Sequence, residues 1–256
     1  MSVKDWIISA DLDAPHVLAP TLLREGARPR AYGLQPLTLS PSTSGSWVGS
    51  RAQGASVNCD DAQLSIHAAG THTECVAHVS DLPLTIAEVA PLTLLRAMLV
   101  TLIPEQTAKG DRVISAQALE TALSALEGRT IDALIVRTLP QDQDALRDWS
   151  GTNPPFFARE AMIALAQREI LHLITDLPSV DQEVDGGLLV GHRAFFGLWP
   201  KGAPERPYRA TITELAVIPP ELDDGFGVLR LDVMAWPSDA APSRPIFYPL
   251  APYEST

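Results

Sequence analysis

The sequence predicts a mixed α/β chain of the α+β kind. Runs of β-branched or alternating apolar residues recur from residue 31 to residue 235, and two stretches of helical periodicity stand among them. Sixteen glycines and twenty-two prolines are scattered as short connections, with no low-complexity linker and no repeat. At 256 residues and 46% hydrophobic content the chain can bury a sizeable core, so a single domain over 1–256 is the simplest organisation.

The elements follow in order. Strands are expected at Ala31–Leu39, Asp61–Ala68 and Arg96–Ile103. Ser115 is an N-cap for a helix over Ala116–Leu126, where Leu119, Leu123 and Leu126 recur at helical spacing. A strand at Asp132–Thr138 comes next, then a helix over Phe157–Arg168 introduced by Asn153-Pro154-Pro155. Ile170–Thr175 reads as a strand, and a short helix starting near Gly186-Gly187 carries His192. Strands at Ala210–Val217 and Gly227–Ala235 complete the series.

Composition restricts the function. A formal charge of -12 with no Lys/Arg run argues against nucleic acid and against an anionic membrane, both of which need a basic footprint, and leaves a small-molecule substrate. No apolar run approaches the ~20 residues of a spanning helix, and Met1-Ser-Val-Lys-Asp lacks the regions of a signal peptide, so a cytoplasmic location is expected. Cys59 and Cys75 are two thiols rather than a disulfide framework, and both are expected to pack inward.

Three of the six histidines, together with a carboxylate, fall within His67-Ala-Ala-Gly70-Thr71-His72-Thr73-Glu74-Cys75-Val76-Ala77-His78. Imidazole and carboxylate are the ligand set of a divalent ion such as zinc or manganese, and a histidine beside the metal is a ready general base. Leu64-Ser-Ile66-His67 reads as the end of a strand and Ala-Ala-Gly-Thr as a tight turn that brings His67 and His72 together. In an extended run His72, Glu74 and His78 would share one face with Val76. The alternative is a solvated turn without function. Downstream, Glu214 interrupts an apolar strand and should be either exposed or engaged with a cation. Asp176 and Asp181 fit turn and cap roles better than ligation. A nucleophilic role for Cys75 is poorer than packing or metal ligation.

The run Gly70-Thr71-His72-x-Glu74-x-x-x-His78 resembles the H-x-G-T-H-x-D-x-P-x-H signature of the metal-dependent cyclase family, which includes kynurenine formamidases and isatin hydrolases. Thr175-Asp176-Leu-Pro178-Ser179-Val-Asp181, His192-Arg-Ala-Phe-Phe and Thr211-Ile-Thr-Glu214-Leu extend the match over about residues 55–217. The resemblance implies a swivelling β/β/α fold, usually assembled as homodimers or homotetramers. It implies His72, Glu74, His192 and Glu214 as metal ligands for one or two zinc or manganese ions, and His78 as the catalytic histidine. Three positions depart from the pattern. Ala68 stands where the first ligand belongs, with His67 one residue earlier as its replacement in a longer turn; Glu74 replaces Asp and Val76 replaces Pro.

The activity implied is hydrolysis of a C–N bond in a formamide or cyclic amide by metal-activated water, with His78 moving the proton. The alternatives are a lactone or ester hydrolase on the same scaffold and a non-catalytic metal-binding protein. Trp47, in a Gly/Ser-rich segment, and the aromatics Phe156, Phe157, Phe195, Phe196 and Trp199 are candidates to line a pocket for a flat ring, with Trp47 and Phe157 put forward as substrate contacts.

Overall fold

Seven strands close on themselves into a barrel in the computed structural model, which describes residues 3–22, 29–140, 146–198 and 208–250. The strands are β1 (His72–Cys75), β2 (Leu95–Leu102), β3 (Ala133–Thr138), β4 (His172–Thr175), β5 (Thr211–Glu214), β6 (Gly225–Val233) and β7 (Ala240–Pro249). Around the barrel the order is β7-β6-β2-β3-β4-β5-β1, and β1 returns to pair with β7. The pairings from β2 through β5 are parallel and the others antiparallel. The class is the mixed α+β expected.

Strand periodicity separates two cores. Leu95, Ala97 and Leu99 of β2, with Ala133 and Ile135 of β3, point into the barrel and meet Leu229, Leu231 and Phe247. Met98, Val100, Leu134, Val136 and Ile212 point outward and are covered by helices. Burial on both faces is why these parallel strands read as continuous apolar runs. The covering helices are α1 (Val3–Ser9), α3 (Ala116–Leu123), α4 (Arg159–Gln167) and α5 (Val190–Phe195), while the one-turn α2 (Ile86–Val89) packs separately against Cys75 and Ala241. Ser115 caps α3 as expected, its hydroxyl accepting from the Ala118 N–H at 3.2 Å.

Several expectations change, and one strand is unanticipated. Of the Ala31–Leu39 segment only Thr38 and Leu39 are extended, in a strand Thr38–Pro41 paired with Asp60–Gln63, because Tyr32 and Gly33 adopt φ of 58° and 65° and turn the chain. The strand expected to reach Ala68 ends at Gln63; Ala68 and Ala69 both donate to the Ser65 carbonyl, so His67 lies within the turn. The longest strand, β7, carries Pro242, Pro245 and Pro249, residues that argue against a strand in sequence. Cys75 is buried, but Cys59 is exposed, and both are free thiols. Among the described residues no helix is long and apolar enough to cross a membrane.

Candidate metal centre

The turn before β1 is built to deliver His72. Gly70 adopts φ of 141°, a region that excludes side chains, and the Thr71 hydroxyl donates to the Leu215 carbonyl at 2.6 Å. The Ser243 N–H donates to the Thr71 carbonyl at 3.1 Å, tying the turn to β7 as well. The next four residues are β1, gripped between β5 and β7, with Glu214 opposite His72 and Ala240 opposite Glu74. Alternation puts His72 and Glu74 on one face and Thr73 and Cys75 on the other. Thr73 and Thr213 share a hydroxyl hydrogen bond at 2.8 Å, and Cys75 packs with Ile86, Val89 and Ala241. Ile212, two residues before Glu214, belongs to the helix-covered core, so the ligand face is the one that α5 covers. Helix α5 supplies His192.

All six candidate residues for metal and proton chemistry converge. His192 Nε2 lies 2.8 Å from Glu74 Oε1 and 3.5 Å from Glu214 Oε1. His72 Nε2 is 3.5 Å from Glu214 Oε2, and His67 Nδ1 is 3.3 Å from Glu74 Oε2. His78 Nε2 is 3.7 Å from the same Glu74 oxygen. His78 arrives through a 3₁₀ turn, Val76–Val79, rather than by the extended run expected. Two trios place their ligand atoms within 4.8 Å of one another: His72, Glu74 and Glu214, all buried, and His67, Glu74 and His78, of which only Glu74 is buried. Glu74 belongs to both. The expectation that Glu214 is either exposed or cation-engaged is narrowed, since it is 3% exposed.

The donor set fits a divalent ion. His67 Nδ1, His72 Nε2, His192 Nε2 and both oxygens of Glu74 are buried without a hydrogen-bond partner, a costly arrangement for five polar atoms in one place. The opposite ends of these side chains are satisfied. His72 Nδ1 donates to the Gly70 carbonyl at 3.0 Å, which leaves the Nε2 lone pair facing the cluster. His192 Nδ1 meets Asp181 Oδ2 at 2.6 Å, while the Gly191 and His192 N–H groups donate to the same carboxylate at 2.5 and 3.1 Å. Glu214 Oε1 accepts from the Val180 N–H at 2.8 Å. Inward nitrogens left free by outward hydrogen bonds are how proteins prepare histidine ligands.

Charge follows the same pattern. Burial lowers His192, yet Glu74, Asp181 and Glu214 together hold it well above its ordinary range. Burial raises Glu74 and Glu214; His192 overrides it for both, aided by His67 and His78 at Glu74 and by His72 at Glu214. His67 is pushed up to about 10, its contacts with Asp239 and Glu74 outweighing burial. Each buried carboxylate is thus held in its ionised form, the form that ligates a divalent ion.

Asp181 is a positioning carboxylate, in keeping with the cap role read from sequence. Asp176 accepts from the N–H and hydroxyl of Thr138 at 2.9 and 3.0 Å. Trp47 is 40% exposed on a short hairpin formed with Thr43–Ser44, and Phe157, at 2%, is packed in the helix-covered core with Phe195 and Phe196. Trp199 lies outside the described residues. Two site neighbours escape sequence reasoning. Asp239 Oδ2 lies 2.9 Å from His78 Nδ1 and 3.0 Å from His67 Nε2, but 161 residues separate it from His78 and its own segment reads as a turn. Tyr32, in the left-handed region, donates its hydroxyl to the Pro178 carbonyl at 2.9 Å; desolvation and then Glu214 raise its phenol above the usual value.

A family model described as putative cyclase matches residues 13–182 of this chain. No curated protein sequence matches it. Among solved structures, isatin hydrolase A from Labrenzia aggregata, bound to benzyl benzoate, is 14% identical with a TM-score of 0.65, covering 98% of this chain and 100% of its own. Isatin hydrolase A from Ralstonia solanacearum is 13% identical with a TM-score of 0.62, covering 92% of each chain. A predicted metal-dependent hydrolase from Bacillus stearothermophilus is 15% identical with a TM-score of 0.61, covering 92% of this chain and 98% of its own. Likeness of this extent shows a shared fold, the swivelling β/β/α arrangement expected from the motifs.

Proposed function

Since the chain belongs to the putative cyclase family, we propose that it is a metal-dependent hydrolase that cleaves a C–N bond in a formamide or cyclic amide. The observation that carries this reading is the set of five orphaned ligand atoms on His67, His72, Glu74 and His192, gathered beside Glu214. His72, Glu74, His192, Glu214 and His67 would hold one or two divalent ions, with zinc and manganese the ions that suit imidazole and carboxylate. A divalent ion held there supplies Lewis acidity, making hydroxide accessible near neutral pH and polarising a carbonyl.

The chain's own groups supply the rest. His78 is 24% exposed by its side chain and its Nε2 faces the cluster, so it can take a proton from an attacking water. Water adds to the carbonyl carbon, the C–N bond breaks, and His78 returns the proton to the leaving nitrogen, giving an amine and a carboxylic acid that ionises by releasing its proton to solvent. Asp181 holds the His192 ring, and the Val180 N–H holds Glu214, so neither ligand has to reorganise. The half-exposed ring of Trp47 is the proposed aromatic contact for substrate. The substrate is a small molecule, with a cytoplasmic, homo-oligomeric enzyme as the setting.

Formyl-anilides, cyclic imides and cyclic amides, and lactones, each assayed with zinc and with manganese, separate the amide reading from an ester-cleaving one. Turnover of the C–N substrates at the higher kcat/KM is expected. Preference for lactones would replace the amide reading, and inertness of the metal-loaded protein toward every class would overturn the enzyme.

A further inference from the structure

One oxygen, Asp239 Oδ2, touches two imidazoles of the site. It lies 2.9 Å from His78 Nδ1 and 3.0 Å from His67 Nε2. The two rings tilt toward each other at 4.4 Å between centroids, and their other nitrogens, His78 Nε2 and His67 Nδ1, turn to Glu74 Oε2 at 3.7 and 3.3 Å. Asp239 is itself fixed. Its Oδ1 accepts from the Ser238 hydroxyl at 2.7 Å, its carbonyl accepts from the Cys75 N–H at 3.0 Å, and the next residue, Ala240, pairs with Glu74. The carboxylate is therefore in register with the strand that carries the ligands.

An ionised carboxylate accepts hydrogen bonds and never donates them. Each imidazole nitrogen facing it must therefore carry a proton, and in a neutral ring the opposite nitrogen must carry the lone pair. For His78 this selects the Nδ1–H tautomer and leaves Nε2 as the base; for His67 it selects Nε2–H and leaves Nδ1, one of the orphaned buried atoms, as a ligand. We propose that Asp239 is a positioning residue that sets both tautomers at once, so that a single carboxylate prepares His78 for proton transfer and His67 for metal. This also accounts for His67 in place of the ligand missing at Ala68: the offset histidine keeps the orientation it needs because the carboxylate reaches it from the residue just before β7.

The inference rests on the reading of His78 as the proton carrier, but its test does not depend on turnover. In zinc-loaded protein with nitrogen-labelled histidine at mildly alkaline pH, long-range proton–nitrogen correlations report which ring nitrogen bears hydrogen. Wild type should show His78 as Nδ1–H with an unprotonated Nε2, and D239N, held zinc-loaded by excess metal, should lose that pattern. Turnover of any substrate that wild type cleaves should fall by roughly 10²–10⁴ in kcat, with a smaller change in KM, as in other enzymes whose histidine is held in the wrong tautomer. An Nε2–H tautomer for His78 in wild type overturns the proposal without any variant, and so does an unchanged spectrum in D239N. The expected spectra in a protein that cleaves nothing would uphold the role of Asp239 and overturn the hydrolase reading alone.

Discussion

Glu214 lies directly across the antiparallel pairing of β5 and β1 from His72, with Glu214 Oε2 3.5 Å from His72 Nε2. The two residues are 142 positions apart in sequence and become neighbours only because β1 completes the barrel beside β5. A change to Glu214→Gln keeps an oxygen for the Val180 N–H but removes the charge. Metal per chain should fall at least about tenfold, a lower bound set by what even outer-shell changes cost, with the circular dichroism spectrum retained. Undiminished metal in this variant would remove Glu214 from the ligand set.

His78→Ala separates proton transfer from metal binding. Metal content should remain near that of wild type while turnover falls by ~10²–10⁴. Wild-type rates in the variant would end the assignment.

Helix α5 enters the site through a close approach. A Cβ at Gly191 would sit 2.9 Å from Asp181 Oδ1 and 3.3 Å from the Val180 carbonyl. Asp181 cannot yield freely, because it holds His192 at Nδ1 and at its N–H. Gly191→Ala should therefore weaken metal affinity by roughly 10–100-fold through displaced positioning groups, measured by competition with a chromogenic chelator. Unchanged affinity would show that the Asp181 contact tolerates displacement.

The first half of the centre was legible because turn geometry keeps its residues local. Gly70, Thr71, His72 and Glu74 act through one tight turn and a four-residue strand, and such spacing survives in sequence. Strand β2, strand β3 and helix α3 were legible for the same reason, since each carries its own apolar period. His78 is marked by residue type, but nothing in its spacing marks the 3₁₀ turn Val76–Val79 that delivers it. Asp239 and Tyr32 reach the site only across the closed barrel and a positive-φ turn, and nothing local marks either. Strand β7 was hidden by its prolines, which sit where the local pattern of a strand should be. Asp181 reads as a cap from its turn sequence, and it accepts from the first N–H groups of α5, but which histidine it holds depends on the approach of that helix.

The Asp176 carboxyl provides a pH signature away from the metal ligands. Desolvation raises it to about 7 in the fold, against ~3.9 for an unperturbed Asp. The folded state then binds more protons than the unfolded state between those values. The stability this group contributes is fully present below about pH 4 and is lost as pH rises through about 7. Asp176→Asn, which can still accept from the Thr138 N–H, should flatten that part of the unfolding profile, so its stability relative to wild type rises between pH 5 and pH 8. Parallel denaturant midpoints for the two proteins across that range would contradict the shift.

Metal content per chain is the most direct test of the whole account. Wild type and His72→Ala, purified without chelator or added metal, are compared by plasma mass spectrometry. Near-stoichiometric zinc or manganese in wild type, lost in the variant, is the result predicted. Wild type that carries no metal and takes up neither added zinc nor added manganese would contradict it.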